Sequence, residues 1–288
     1  MPVSAQRLSH VSSALLTIAL LLLVGCGGSG ESDAATSDAD AASATDSASE
    51  VQIEVGERSP GFEGAAARFT SPTDGAVVAS DSVTVTVAVD AYTLGVQTET
   101  DRAQQLANSE SGQHVHIIVD GGPYYANYKA DAPFALRALA PGAHSAVVFP
   151  SRSYHESVKS AEAYDIVNFY VGEETGTFPL DPEQPAIIYS RPKGTYTGAG
   201  AERIMLDFYL HNVELSEDGY RAAYEIREEG STEALASITM TEWTPAFVTG
   251  LPSGTYVFHL QLLDADGNVV PGTFNDTERT VTVEAPAA

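Results

Sequence analysis

The chain has 288 residues and a formal net charge of −25, from 39 acidic against 14 basic residues. That length allows one large domain or two ordinary ones, and the acidic balance argues against nucleic-acid binding, which needs a basic surface for phosphates. The single cysteine excludes an internal disulfide framework and a cysteine zinc cluster. Only Lys129, Lys159 and Lys193 are lysines, a skew that suits a high-salt habitat and an ordinary acidic secreted protein alike.

Arg7 precedes an apolar run over residues 14–24. The run is shorter than the roughly 20 residues that span a bilayer and fits the apolar region of a signal peptide. It ends in Leu23-Val24-Gly25-Cys26, which resembles the bacterial lipobox. The resemblance implies cleavage after Gly25, with residues 1–25 as signal peptide, and a lipid on the Cys26 sulfur. Several acyl chains hold a protein to a membrane, because each buried methylene contributes about 0.8 kcal/mol. Gly27 follows the cysteine, which by resemblance to lipoprotein sorting places the protein at the outer membrane of a bacterial cell envelope. Residues 26–63 are read as lipid anchor and flexible acidic linker. Residues 32–50 hold no base and no aromatic, so the segment buries too little to offset its ordering entropy.

Beyond the linker, period-two alternation predicts strands. Val83, Val85, Val87 and Val89 alternate with polar or small residues, and Val115, Ile117 and Val119 alternate with His114, His116 and Ile118. Ile204, Leu206, Phe208 and Leu210 repeat the pattern, as do Tyr256, Phe258, Leu260 and Leu262. Two halves match: Phe69–Pro72 with Tyr189–Pro192, Leu139–His144 with Leu251–Tyr256, and Val167–Val171 with Arg279–Val283. The fold class is therefore all-β, two tandem immunoglobulin- or fibronectin-like sandwiches over 64–176 and 177–288. The Leu-x-x-Gly-x-Tyr step resembles the tyrosine corner of such domains. Tyr256 keeps the tyrosine and His144 replaces it, which makes His144 structural.

The first half carries extra polar chemistry. Residues 91–113 form a long insertion, within which Thr100 is expected to cap a short helix. The sandwich topology brings this insertion to the same end as the loop Ser151–Lys159. His114 and His116 share one face of their strand, opposite the apolar partners, and are expected on the outer, solvent-facing side. With His155 as third ligand, and Glu156 or Asp101 as carboxylates, they make a candidate zinc or copper site. Arg152, Tyr154, Glu156 and Lys159 are candidates for holding an organic or anionic ligand. The second half has Arg221 and Ala223 where the histidines stand. Its Asp264–Asn268 stretch reads as a tight hairpin turn, and Trp243 as a core residue.

Gly112-Gln113-His114-Val115-His116 and Ser151-Arg152-Ser153-Tyr154-His155-Glu156-Ser157 resemble a family of uncharacterised bacterial envelope lipoproteins with a Gly-x-His-x-His strand and a Ser-Arg-Ser-aromatic-His-Glu-Ser loop. A looser likeness is to a domain of unknown function with three consecutive histidines at this strand start, a run that Val115 interrupts here. Neither likeness implies an activity. The nucleophile-elbow, His-Glu-x-x-His and phosphate-loop motifs of hydrolases are absent. The reading is a non-catalytic accessory lipoprotein that partners a membrane, through its anchor, and a small ligand or envelope protein. The alternatives are a metal-dependent enzyme at the three-histidine end and a structural spacer.

Overall fold

The computed structural model describes residues 50–285. The expected signal peptide, Cys26 and most of the linker lie outside the described residues. The first sandwich comprises β2 (Ala66–Ser71), β3 (Ala76–Val78), β4 (Val83–Asp90), β5 (His114–Val119), β6 (Tyr125–Asn127), β7 (Phe134–Leu136), β8 (Gly142–Ser151) and β9 (Asp165–Val171). The sheet β2-β4-β7 faces the sheet β3-β9-β8-β5-β6, in which β3 joins β9 in parallel. The second sandwich comprises β10 (Ala186–Arg191), β11 (Gly194–Thr197), β12 (Arg203–His211), β13 (Arg221–Glu228), β14 (Ala234–Met240), β15 (Ala246–Thr249), β16 (Gly254–Leu263) and β17 (Asp276–Glu284). Its sheets run β15-β12-β10 and β11-β17-β16-β13-β14, again with a parallel join, β11 to β17. The two strand orders are the same. The chain is all-β, two tandem sandwiches of immunoglobulin and fibronectin type.

Alternation places the cores. Val83, Val85, Val87, Val115, Ile117 and Val148 are buried inside the first sandwich. Ile204, Leu206, Phe208, Tyr256, Phe258 and Leu260 are buried inside the second. The corner is present in both copies. The Tyr256 hydroxyl donates to the carbonyl of Pro252, 2.9 Å away, and His144 Nε2 lies 2.7 Å from the carbonyl of Ala140, four residues upstream in each case. His144 Nδ1 is also 2.6 Å from Asp120 Oδ2. His144 is therefore a structural residue doing the work of a tyrosine. Asp264–Asn268 forms the hairpin turn: Asp264 N donates to the carbonyl of Asn268 at 2.9 Å, and Asn268 N to Asp264 Oδ1 at 2.8 Å.

Four expectations are corrected. The linker is not free up to residue 63, because β1 (Gln52–Val55) pairs antiparallel with β15 and extends the second sandwich's sheet. Val51, Ile53 and Val55 alternate in a mostly polar stretch, and the open edge of β15 supplies the hydrogen bonds that composition does not reveal. The insertion holds a single 3₁₀ turn over Asp101–Gln104, and Thr100 makes no side-chain cap bond. Trp243 is half-buried at the rim of the second core; its Nε1 donates to the carbonyl of Phe208 at 3.0 Å and its ring meets Tyr209 edge-on.

The histidine face also departs from expectation. The outer face of the β5-β8-β9 sheet does not meet solvent. It packs on the β10-β12 face of the second sandwich through Ile118, Tyr124, Val147 and Phe149 against Ala186, Ile188, Tyr209 and Phe274. The Phe149 and Tyr209 rings stack with centroids 4.6 Å apart. Ile118 and Ile188 are fully buried there, and such a side chain contributes about 1.5–3 kcal/mol. Lys159 and Asp207 form a buried ion pair across the same junction. The His114/His116 face is apolar enough, with Ile118 and Phe149 beside the imidazoles, to bury against a second sheet.

Candidate functional site

The site is a cluster of rings at the junction of the sandwiches. His114 and His116 project from β5 on the face away from the first core, and both are fully buried. His155 comes from the loop after β8, at φ 72°, and its ring centroid lies 4.9 Å from that of His114 and 6.0 Å from that of His116. Hydrogen bonds between the insertion and this loop hold it in place: Ser109 N donates to the carbonyl of Ser153 at 2.8 Å, and Thr98 N to Ser153 Oγ at 3.1 Å. Tyr124 stacks on His116 at 3.6 Å with rings 10° apart, and Tyr128 lies 4.9 Å from His114.

The partners of the imidazoles fix their protons. His114 Nδ1 is 2.9 Å from the carbonyl of Gly112, which only accepts, so Nδ1 carries the proton and Nε2 presents a lone pair. His116 Nε2 lies 3.0 Å from that atom and donates to it, while His116 Nδ1 faces Ser190 Oγ of β10 at 3.1 Å. His155 Nδ1 donates to the carbonyl of Ala107 at 3.3 Å, leaving its Nε2 unprotonated. Burial, opposed by the Gly112 bond and reinforced by the cations Arg191 and Lys193, brings the His114 pKa down to about 4. Burial holds His116 and His155 well below the ordinary histidine value, with Arg191, Lys193 and the neighbouring rings acting in the same direction. At neutral pH the cluster is three neutral imidazoles.

Two cations border it. Arg191, at the end of β10, is 7% exposed; its guanidinium carbon lies 5.8 Å from the Tyr124 ring and 5.3 Å from the Tyr196 ring. Lys193 sits 3.7 Å over the Tyr124 ring and donates to the Tyr124 carbonyl at 2.7 Å. Burial first, then Arg191, lowers the Lys193 pKa to about 8.

No family model matches the chain, and no curated protein matches it. Among solved structures it is similar to the fibronectin(III)-like modules of CbhA from Clostridium thermocellum, at 13% identity over 76% of this chain and 94% of that one, with a TM-score of 0.26. It is also similar to latent PorU from Porphyromonas gingivalis, at 13% identity over 83% of this chain and 21% of that one, TM-score 0.24. Chicken CNTN1 FN1–FN3 domains match at 12% identity over 81% of this chain and 66% of that one, TM-score 0.22. Likeness at this level carries no argument, and the sandwich assignment rests on the strand orders.

The structure brings His114, His116 and His155 together. Among the described residues, however, no three histidine, cysteine, aspartate or glutamate side chains are arranged to hold a metal ion. Asp101 and Glu156 stand apart from the rings. Glu156 is 1% exposed and committed elsewhere: Ser59 N and Oγ donate to it at 3.0 and 2.6 Å, and Arg102 at 2.8 Å. The Tyr154 hydroxyl meets Ser59 Oγ at 2.6 Å, and Arg152 donates to the carbonyls of Ser157, Ser59 and Pro60. Lys159 is tied to Asp207 and, at 2.9 Å, to Ser157 Oγ. These four expected ligand residues instead bind the loop to the segment after β1 and to β12. The N-terminal segment and the second sandwich supply partners that local sequence could not show.

Sequence reasoning missed Arg191, Lys193, Ser190 and Tyr124. One signal was available: in the matched segments Phe69–Pro72 and Tyr189–Pro192, Arg191 stands where the first copy has Ser71.

Proposed function

We propose that the chain is a lipid-anchored, non-catalytic accessory protein of the bacterial cell envelope that holds a small ligand in the ring cluster between its sandwiches. Cys26 after the lipobox supports the anchor, and Gly27 supports the outer membrane as its address. The observation that carries the binding reading is the meeting of three neutral imidazoles with two basic side chains in a buried, two-sheet junction. Hydrogen-bonded polar clusters of this kind concentrate at binding sites. The second sandwich has Arg221 and Ala223 in register with Leu263 and Gln261, as His114 and His116 are with Ser151 and Phe149, and so lacks the pair.

Two other readings have a specific observation behind them. The Nε2 atoms of His114 and His116 lie 3.0 Å apart, and moving the His116 proton to Nδ1, beside Ser190 Oγ, would turn both Nε2 lone pairs toward a shared cation, which keeps zinc and copper among the ligands to test. Ser190, His116 and His114 form a hydroxyl–imidazole–imidazole chain in the same buried junction.

Side-chain nitrogen spectra of the full-length protein in neutral detergent test the proposal. Adding zinc, copper(I), phosphate or acetate in turn should displace the imidazole signals of His114, His116 and His155 with at least one of them. Imidazole signals unmoved by all four would overturn it.

A further inference from the structure

The junction holds more positive charge than its partners neutralise. Arg191 is almost wholly buried, yet among the described residues it forms no ion pair and its Nε has no hydrogen-bond partner; the groups that favour its charge are Tyr196, Tyr124 and Asp207. Lys193, half-buried over the Tyr124 ring, forms no ion pair among the described residues either. Its only hydrogen bond there goes to a carbonyl, leaving two ammonium protons free. The Tyr196 hydroxyl, buried beside Arg191, makes no hydrogen bond of ordinary geometry, although the Arg191 guanidinium and the Lys193 backbone N–H lie near it. Asp207, the acid opposite Arg191 in the β10-β12 ladder, is engaged by Lys159 and Ser157. With 39 acids against 14 bases, acids are abundant in this chain, and two neighbouring bases without one are conspicuous. A buried charge without a counter-charge is costly, and a guanidinium beside an ammonium forms the usual cradle for an oxyanion.

Resting on the proposed binding role of the junction, we propose that its ligand is a small oxyanion, a carboxylate or a phosphate, bound by Arg191 and Lys193 over the Tyr124 ring, beside the neutral histidines. The anion supplies the missing counter-charge, and Lys193 at the half-buried rim is its point of entry.

The groups facing Lys193 are Arg191 from β10, Tyr196 from β11, Tyr124 from the β5–β6 connection, His114 and His116 from β5, and His155 from the loop after β8; Asp207 of β12 lies behind Arg191. Lys193 is cationic below its pKa of about 8, so anion affinity is expected to be retained at pH 7 and to fall as the pH rises through that value. The test is calorimetric titration of the full-length protein in neutral detergent with phosphate and, separately, acetate, at pH 7 and pH 9. Lys193→Gln should weaken binding of the preferred anion roughly 10- to 100-fold at pH 7, the loss expected for one charge-assisted hydrogen bond. Lys193→Arg should retain binding at pH 9, where wild type loses it. Arg191→Gln should abolish binding, and if that variant fails to fold, the Lys193 pair alone decides. Anion binding that Lys193→Gln leaves unchanged would overturn the proposal. So would zinc or copper binding without either anion, an outcome that leaves the junction a ligand site. Failure of all four probes would bring down both readings.

Discussion

Acid should weaken this fold through His114 in a window set by burial. The imidazole titrates near 6.5 when exposed and at about 4 in the folded protein. Because the folded value is depressed, the unfolded chain takes up a proton first as the pH falls. Stability contributed by the neutral ring is complete above about pH 6.5, declines as the pH drops below that, and levels off near pH 4. At pH 5 the unfolded state is mostly protonated at this site and the folded state mostly is not, a loss of about 2 kcal/mol relative to pH 7.5, approaching ~3 kcal/mol below pH 4. His116 and His155 act in the same direction. Glu156, whose carboxyl is held below its ordinary value by Lys159, Arg152 and Ser59 against the opposing effect of burial, adds an acid loss at lower pH. Urea unfolding of wild type and His114→Asn at pH 7.5 and pH 5, in buffer free of zinc, copper, phosphate and acetate, isolates the His114 part. Asparagine retains a donor for the Gly112 carbonyl and removes the titration. Wild type should lose about 2 kcal/mol more than the variant over that interval. Equal losses would refute the assignment of a neutral, buried His114.

His144→Ala should cost about 1–3 kcal/mol in denaturant unfolding by breaking the bonds to Ala140 and Asp120, while leaving junction ligand binding unchanged; a variant as stable as wild type would show the corner to be dispensable. Asp207→Asn should cost about 3–5 kcal/mol, because Lys159 is left buried without its counter-charge, and the Asp207→Asn/Lys159→Met double variant should recover part of that in the same unfolding assay. Cys26→Ser should abolish lipidation, read as loss of partitioning into a detergent phase and accumulation of unprocessed precursor; a wild-type protein found in the aqueous phase would contradict the anchor.

The strands were legible because each presents one apolar side to one core. Val83–Val87, Ile204–Leu210 and Tyr256–Leu262 read the same in sequence and structure, and the paired corner steps gave the duplication. The site was legible only in part. Alternation correctly put His114 and His116 opposite Val115 and Ile117, and topology correctly brought His155 to them. Alternation names a face, however, and not what covers that face. Ile118 and Phe149, flanking the histidines, are the residues that the second sandwich buries, and Tyr209 and Ile188 lie 39 to 91 residues from them in sequence. For the same reason Arg152, Tyr154 and Glu156 looked like free ligand groups. Their partner, Ser59, sits in a segment whose composition reads as linker until β15 offers it an edge. Arg191 and Lys193 belong to the other copy, and only the junction places them beside the rings.

The junction of the two sandwiches is proposed as a ligand site. A crystal structure of the protein grown with phosphate, with parallel crystals grown with zinc and copper, tests it most directly. Tetrahedral density is expected between Arg191 and Lys193 over the Tyr124 ring in the phosphate crystals, with His114 and His116 still bonded to each other. A junction with no bound group in any of the three crystals would contradict it.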